Sequence, residues 1–202
     1  METTLSFDEV ISVLERNGVR IFQSKPEFQI ILAQINGERI DLAFPRTESK
    51  YVDGRRPEQT ERTVSLMDDA SRRDFTMNAM YIDRDSNIMD FFGGMNDIKT
   101  KIIRAVGNPD ERFEEDSLRI LRALRFSVLL GFEIELNTYK SMRRNMHLLK
   151  QDSIAIDRIK DELNKAFKFN PYNTMILMRG LGLMEVLNEK DPKLKIEITN
   201  RS

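Results

Sequence analysis

Hydrophobic residues recur along this chain with two different periods. In the first half, apolar residues come in short alternating runs at 28–35 and 38–44, which is typical of β-strands. The runs are joined by Asn36-Gly37, the dipeptide that most strongly predicts a two-residue hairpin turn. In the second half the apolar spacing becomes three and four residues, which predicts helices over 116–130, 137–149, 153–169 and 171–187.

This change of period divides the chain near residue 108. We predict an α+β fold, with a mixed region over 1–108, an all-helical region over 109–202, and no strand between residues 116 and 168. Shorter signals complete the first region. They predict a helix over 5–17 capped by Ser6, a polar loop over 45–61, a helix over 67–80, a strand over 80–83 and a turn at Phe92-Gly93-Gly94.

Composition narrows the class of protein. The chain has 32 Lys+Arg and 33 Asp+Glu, so only a local basic surface could attract nucleic acid. None of its 202 residues is cysteine, which fits a reducing compartment and excludes disulfides. The start METTLSFDEV does not resemble a secretory signal, and no apolar run approaches the ~20 residues that span a bilayer. We therefore expect a cytoplasmic protein with no membrane partner.

Three arginines recur at every third position in the helix predicted after Asp116. At 100° per residue, Arg119, Arg122 and Arg125 lie within an arc of about 120°. They repel one another unless something negative lies against them. One interpretation is a solvated face paired with nearby glutamates; the other is a site for a triphosphate or a base edge, which arginine binds through planar hydrogen bonds. The glutamates available are Glu111, Glu114 and Glu115.

A second polar cluster occurs at Arg72-Arg73-Asp74-Phe75-Thr76. Adjacent arginines cannot share one helix face, so one of them can pair locally with Asp74 or Asp68 while the other points elsewhere. Taken by itself, the cluster predicts a helix with ordinary salt bridges.

Several ordered segments resemble the bacterial CCA-adding enzyme and poly(A) polymerase family, class II. They are IDLAFPRTESKYVDGRRPE, RRDFTMNAM with the following DFFGGMNDIKTKIIRAVGNPDERFEEDSLRILRALRFSVLLGFEIE, and SIAIDRIKDELNKAF. The resemblance implies that 1–108 is part of a nucleotidyltransferase palm, or head domain. It implies that 109–202 is an all-helical neck that contributes to RNA binding.

The resemblance also assigns nucleotide-binding roles to five residues. Arg73, the second arginine of RRDFT, matches a residue that contacts the incoming nucleotide. Asp116 and Arg119, in the pattern E-D-x-x-R, match the pair that reads the base edge of CTP or ATP. Aspartate accepts from an exocyclic amine and arginine donates to a ring or carbonyl acceptor, so the chemistry permits this role. Arg122 and Arg125 match further arginines that contact the nucleotide.

One acidic residue leaves two interpretations open. Asp41 lies where the family's second strand can carry an acidic residue near the metal, which makes it a candidate catalytic and metal-binding residue. It also alternates with Ile40 and Leu42, as a solvent-facing residue of a hairpin strand does. One carboxylate is weak evidence for a metal site.

The sequence departs from the family in the segment that holds Mg²⁺. Members carry Gly-Gly-x-x-Arg-Asp and then Asp-x-Asp, whose glycines approach phosphate and whose carboxylates hold the metal. Here the only Gly-Gly is Gly93-Gly94, and no Asp-x-Asp precedes residue 40. Three explanations stay open: a fragment of a longer enzyme, a split enzyme whose second chain supplies the Asp-x-Asp strand, or a relative that binds nucleotide or RNA without catalysis.

The reaction that the resemblance implies is attack of an RNA 3′-hydroxyl on the α-phosphate of CTP or ATP, with Mg²⁺ as cofactor and pyrophosphate as product. The expected partners are therefore a tRNA or RNA 3′ end, ATP and CTP. CCA addition and poly(A) addition stay open, and the sequence does not identify the residues that grip the RNA. We expect the nucleotide-selecting half of the site without the metal half, and a chain that is inactive by itself.

Overall fold

The computed structural model describes residues 5–44, 46–48, 60–62 and 65–191. The described residues fall into two compact units, one reaching to Asp69 and the other beginning at Ala70. Helices and strands are mixed in both units, so the predicted α+β class is confirmed. Among the described residues, no helix has the length and apolar character that crossing a bilayer requires.

The first unit is a helix packed with an antiparallel sheet. Ser6 caps the helix by accepting from the backbone N–H of Glu9, and its own N–H donates to the Glu9 carboxylate at 2.6 Å. The sheet has the order β1-β2-β3. Its core is Phe7, Ile31 and Ala33. The elements are α1 (Phe7–Arg16), β1 (Arg20–Lys25), β2 (Ile30–Ile35), β3 (Glu38–Ala43), β4 (Arg46–Glu48), β5 (Thr60–Arg62) and the start of α2 (Leu66–Ser71).

The predicted hairpin at Asn36-Gly37 is confirmed. Ile35 pairs with Glu38, and both turn residues have positive φ, 52° for Asn36 and 86° for Gly37. Two other predictions for this unit need correction. Strand β1 was missed, because a bulge between Ile21 and Gln23 interrupts its alternation. The loop predicted over 45–61 was wrong for 46–48 and 60–62, which pair as β4 and β5; its other residues lie outside the described part.

The second unit begins with a hairpin and continues into packed helices. Its elements are β6 (Met80–Ile82), β7 (Ile88–Asp90), α3 (Gly94–Thr100), β8 (Ile102–Ile103), α4 (Pro109–Glu115), α5 (Leu118–Leu130), β9 (Glu133–Ile134), α6 (Leu136–Asn145), α7 (Ile156–Phe169), α8 (Pro171–Leu181) and α9 (Leu183–Lys190). Its main core buries apolar side chains from α4 to α9, including Ile120, Leu124, Met142, Ile159 and Met178. Helix α5 packs chiefly on α7.

The helix predicted over 67–80 was wrong beyond Ser71. Asp74 accepts from the backbone N–H of Phe75 at 2.8 Å and from the side-chain amide of Asn78 at 3.1 Å. Such local bonds compete with the hydrogen bonds of a helix. Phe75 also forms an isolated bridge with Ala105, so tertiary pairing holds this segment extended.

The expectation of no strand between residues 116 and 168 was wrong at one place. Strand β9 pairs in parallel with β8, which joins Ile103 to Ile134 across the predicted boundary at residue 108. That boundary lies inside the second compact unit. The helix predicted over 171–187 is in fact two helices, separated at Gly182, whose φ is +74°.

The turn at Gly93-Gly94 brings the DFFGG segment against the RRDFT segment. The Asp90 carboxylate accepts from the backbone N–H groups of Gly94 and Met95, both at 2.9 Å, which fixes the entry to α3. A Cβ atom at Gly94 would lie 2.3 Å from the carbonyl oxygen of Thr76. Glycine is therefore the residue that permits this backbone approach.

Replacing Gly94 with alanine should lower the free energy of unfolding by about 1–3 kcal/mol, the scale for overpacking a buried contact. The clash is with backbone, which cannot rotate away as a side chain can. Urea unfolding monitored by circular dichroism measures the change. The matched control is Asn96→Ala, at an exposed position of the same helix. Equal stability of the two variants would contradict the close approach.

Candidate functional site

The segment containing Arg72, Arg73 and Asp74 is held in place from its C-terminal side. Phe75 is fully buried and meets the ring of Phe126 edge-on, with 5.9 Å between centroids. The Thr76 hydroxyl donates to the buried Asp97 carboxylate at 2.7 Å. A buried aromatic ring and a buried hydrogen bond together prevent the segment from shifting along the core.

Helix α5 grips the same segment through two arginines. Arg122 donates through Nε to Oδ2 of Asp74 at 2.8 Å, and Nη2 donates to the same oxygen. Arg119 donates through Nη2 to the backbone carbonyl of Arg72 at 2.8 Å. One contact is with a side chain and the other with the backbone, so the segment and the helix are fixed relative to each other. We call this set of contacts the arginine clamp.

A pocket of about 600 Å³ opens between this segment, α5 and α7. Its volume is within the usual range for small-molecule sites. Five arginines and four carboxylates contribute to its wall, so it offers both donors and acceptors. The lining residues are Arg72, Arg73, Asp74, Asn78, Asp116, Leu118, Arg119, Arg122, Phe126, Arg158, Asp161 and Glu162.

Asp116 lies between α4 and α5 and is the pocket's least compensated carboxylate. Its Oδ1 accepts from the backbone N–H of Leu118 at 3.1 Å. It forms no ion pair with the described residues. Burial raises the pKa of the Asp116 carboxyl, and the hydrogen bond from Leu118 and the nearby guanidiniums of Arg119 and Arg158 offset this only in part. The side chain therefore has an acceptor oxygen left for a ligand donor.

Arg119 is largely committed to the fold. It is 8% exposed, and besides its contact with Arg72 its Nη1 donates to Glu115 at 2.8 Å and to the carbonyl of Arg112 at 3.2 Å. Its Nε has no hydrogen-bond partner among the described residues. Arg119 therefore combines a structural role with one remaining donor beside Asp116.

The other predicted arginines differ in their access to the pocket. Arg73 lines it, with its guanidinium 5.9 Å from the centroid of the Tyr81 ring. Arg125 is absent from the lining residues; its Nε donates to Glu162 at 2.6 Å, and its guanidinium lies 4.1 Å from the Phe126 ring centroid. The pocket therefore brings together four of the five predicted nucleotide-binding residues and leaves Arg125 behind its wall.

Pairing with the glutamates of α4 accounts for only part of the arginine stripe. Glu115 pairs with Arg119, but Arg122 pairs with Asp74 and Arg125 with Glu162. Those two acids come from the RRDFT segment and from α7, 48 and 37 residues away in sequence. The stripe is thus a junction between elements and not a simple solvated face.

Asp41 does not join this pocket. It is an exposed residue of β3, in the first compact unit, and pairs across the sheet with Leu32. Among the described residues, no group of three or more His, Cys, Asp or Glu could hold a metal ion. A pair of Mg²⁺ ions needs several oxygen ligands. The residues described here therefore do not fit the metal centre that the resemblance implies.

Sequence reasoning missed the contribution of α7. Arg158, Asp161 and Glu162 line the pocket, while Ile159 and Leu163 from the same helix are buried in the core. Polar residues at i, i+3 and i+4 share a helix face, so the spacing could have indicated a second polar surface. Nothing in the sequence alone shows that this face meets α5.

Comparison with known proteins gives the class to which this fold and pocket belong. A family model described as the poly A polymerase head domain matches residues 2–104, and one described as a probable RNA and SrmB-binding site of polymerase A matches residues 131–195. The α+β region followed by helices therefore corresponds to the head domain and the helical region of a nucleotidyltransferase. The chain belongs to the bacterial tRNA nucleotidyltransferase and poly(A) polymerase family.

Curated relatives and solved structures agree with this placement. The CCA-adding enzyme of Streptococcus suis is 40% identical over 202 residues, covering 98% of this chain and 47% of the relative. The CCA-adding enzyme of Ligilactobacillus salivarius is 46% identical over 133 residues, covering 66% of this chain and 32% of the relative. The chain therefore spans less than half the length of these relatives.

Two solved structures share the fold over most of the chain. The Bacillus stearothermophilus CCA-adding enzyme in complex with CTP has a TM-score of 0.78 at 28% identity, covering 89% of this chain and 42% of the other. A tRNA nucleotidyltransferase complexed with a primer tRNA and an incoming ATP analog has a TM-score of 0.71 at 29% identity, covering 94% of this chain and 52% of the other.

Replacing Asp116 with asparagine should change how stability depends on pH. Because the folded-state pKa is raised, the native chain keeps this proton where the unfolded chain, with a pKa of about 3.9, has lost it. As pH rises from the unfolded-state pKa through the raised folded-state pKa, the Asp116 carboxyl therefore lowers the free energy of unfolding. At higher pH this destabilisation remains. Asp116→Asn should gain stability relative to the unmodified chain between pH 4 and pH 7.

Urea unfolding at several pH values measures this difference. Asp85→Asn, at an exposed turn position, is the control for removing a carboxyl as such. A difference between Asp116→Asn and the unmodified chain that shrinks as pH rises would contradict the assignment of Asp116 as a buried, poorly compensated acid.

Proposed function

We propose that this chain forms the base-selecting part of a nucleotidyltransferase that adds CMP and AMP to the 3′ end of tRNA. The observation that carries the proposal is the pocket between the RRDFT segment and α5, which contains Arg73, Asp116, Arg119 and Arg122. Relatives named CCA-adding enzyme, and a solved relative in complex with CTP, support the choice of ligand. The relatives are more than twice as long, so the activity of the whole enzyme is part of the proposal.

Base selection would rest on Asp116 and Arg119. Cytosine and adenine present an exocyclic amine on their pairing edge, and a carboxylate accepts from it. Uracil and guanine present a carbonyl oxygen at the equivalent position, which a carboxylate repels. One carboxylate oxygen of Asp116 and the Nε of Arg119 make no hydrogen bond to the described residues. The two side chains therefore offer one hydrogen-bond acceptor beside one donor.

The remaining arginines would act on the phosphates and on the shape of the pocket. Arg73 lines the pocket, and Arg122 is 37% exposed even while paired with Asp74, so both can approach an anion. Arg125 would support the wall through Glu162 and Phe126. Its predicted direct contact with nucleotide would require it to leave Glu162.

The proposed reaction is attack of the RNA 3′-hydroxyl on the α-phosphate of CTP or ATP, with pyrophosphate leaving. The contribution of this chain's own residues is to bind and orient the nucleotide, since positioning is a large part of phosphoryl-transfer catalysis. A divalent metal such as Mg²⁺ would neutralise developing charge, but the described residues supply no centre for it. Asp41 remains the candidate metal ligand from this chain, and a second chain carrying the Asp-x-Asp strand would supply the missing carboxylates.

Poly(A) addition is the second candidate, because the matched head-domain model is described by poly A polymerase. The two activities differ in whether the site accepts CTP. Nucleotide or RNA binding without catalysis is the third candidate function, and it would use the same pocket as a binding site.

Removing the carboxylate of Asp116 should erode base selection more than affinity. In the unmodified chain we expect CTP and ATP to bind better than UTP and GTP; Asp116→Ala should narrow that gap. Arg119→Ala should weaken CTP and ATP binding by about 1.5–3 kcal/mol, the scale for a charged hydrogen bond. Calorimetry at high nucleotide concentration with all four triphosphates measures both effects.

Arg119 also holds the clamp, so each variant must first be shown to be folded by circular dichroism. Asp161→Ala, on the α7 side of the pocket, is the matched control for removing a carboxylate from the wall. Unchanged selectivity in folded Asp116→Ala would overturn the base-reading role. Preference for ATP with exclusion of CTP would favour poly(A) addition.

The purified chain alone should add no nucleotide to tRNA in the presence of Mg²⁺. The reason is that its sequence has no Asp-x-Asp pair before residue 40, and its described residues offer no metal centre. Incorporation of labelled CTP or ATP is the measurement. Incorporation that Asp41→Ala abolishes would show this prediction to be wrong and would make Asp41 a metal ligand.

A further inference from the structure

The hairpin of β6 and β7 and the helix α3 that follows it carry a concentration of exposed apolar side chains. Ile82 is 72% exposed, and Ile88, Met95 and Ile98 are exposed as well. None of the four lines the candidate pocket. Single exposed apolar residues are common on proteins, but several within one short segment mark an interaction surface. We call these four residues the apolar surface of the hairpin.

The hairpin contributes to this surface from the side on which α3 lies. Met80 and Asp90 pair with each other at the base of the hairpin, and both reach the start of α3. The Asp90 carboxylate accepts from the backbone N–H of Gly94 at 2.9 Å, and a Cβ atom at Gly94 would lie 2.9 Å from the sulfur of Met80. Ile82, two residues after Met80, projects from the same face and pairs with Ile88. Both isoleucines therefore lie on the α3 side.

The backbone of the hairpin is open at its outer edges. The N–H of Asp83 donates to the carbonyl of Asn87 at 3.0 Å, so these two residues form a hydrogen-bonded pair. Because hydrogen-bonded and non-bonded pairs alternate along an antiparallel ladder, the N–H and C=O groups of Ile82 and Ile88 point away from the hairpin. They form no hydrogen bond with any described residue. Strand β6 also has no charged residue, which is the usual protection of an edge against a further strand.

Charges of opposite sign lie at the two ends of this segment. The hairpin turn carries Asp83, Arg84 and Asp85, two acids against one base, and the end of α3 carries Lys99 followed by Lys101. The apolar residues from Ile88 to Ile98 lie between these ends along the chain. A surface with an apolar centre and opposite charges at its ends is complementary to its own copy, because a two-fold rotation exchanges the ends.

We propose that the apolar surface of the hairpin joins two copies of this chain. In this dimer β6 of one copy pairs antiparallel with β6 of the other across a two-fold axis. Antiparallel pairing sets the turn of one hairpin beside the base of the other, where α3 begins. Ile82 and Ile88 of one copy then pack against α3 of the other, and the acidic turn approaches Lys99. The proposal does not depend on the proposed function, because it uses no residue of the pocket.

A second copy fits this surface better than a nucleic acid or a bilayer does. Exposed isoleucine and methionine side chains offer no hydrogen bond to a phosphate backbone. The open edge of β6 is satisfied by another strand, which neither a nucleic acid nor a lipid supplies. An identical strand meets this need with no further partner, because antiparallel pairing is compatible with two-fold symmetry.

Sedimentation equilibrium of the purified chain across the micromolar range tests the proposal. The unmodified chain should approach twice the single-chain mass of 23.7 kDa. Ile82→Lys should raise the dissociation constant of the dimer by at least about tenfold, because the interface would bury an unpaired charge. The matched control is Ile176→Lys, which places the same change at a 51% exposed isoleucine of α8. It should dimerise as the unmodified chain does.

Charge reversal tests the two-fold arrangement. Asp85→Lys should weaken the dimer, and adding Lys99→Asp with Lys101→Asp to the same chain should restore it, because the two ends meet across the axis. A single-chain mass at every concentration would overturn the proposal. So would equal weakening in Ile82→Lys and Ile176→Lys, or no restoration by the reversed lysines. Flotation of a monomeric chain with phosphatidylcholine vesicles would assign the surface to a bilayer and also overturn it.

Discussion

The arginine clamp is the interaction on which the candidate site depends. Arg122 binds the carboxylate of Asp74, and Arg119 binds the carbonyl of Arg72, so one helix face holds both a side chain and the backbone of the RRDFT segment. Asp74 is 8% exposed, and removing its partner would leave a nearly buried charge uncompensated, which costs about 3–5 kcal/mol for fully buried pairs and less here. The clamp holds this segment against α5, and residues of both line the pocket.

The charges in the pocket are arranged to leave one acid available. Asp74 and Glu162 are matched with Arg122 and Arg125 at close distance, which fixes the walls. Asp116 differs, because burial raises its pKa and no described cation bonds to it directly. A buried carboxylate with a missing donor gains most from a ligand that supplies one. This is the physical basis for the proposal that Asp116 selects the base of the nucleotide.

The helical part is attached to the mixed part by more than chain connectivity. Strand β9 pairs with β8, which lies before the predicted boundary at residue 108. Within the helical part, Asp110 in α4 accepts from Asn145 and Arg144 in α6. The contacts of Asp110 join the helix before α5 to α6. The candidate pocket and the helices that form it thus lie within one compact unit, while Asp41 belongs to the other unit.

The sequence by itself determined the elements whose signals are local. Asn36-Gly37 specified the hairpin because both residues tolerate positive φ, and the 3.6-residue period specified α5, α6 and α7. The motif resemblance pointed to Arg73, Asp116, Arg119 and Arg122, which share the pocket. Only the tertiary structure decided that α7 supplies Arg158 and Glu162, that Arg125 lies behind the wall, and that residues after Ser71 leave the helix. Those outcomes depend on partners distant in sequence, whose contacts outweigh local preference and leave no periodic trace in the chain.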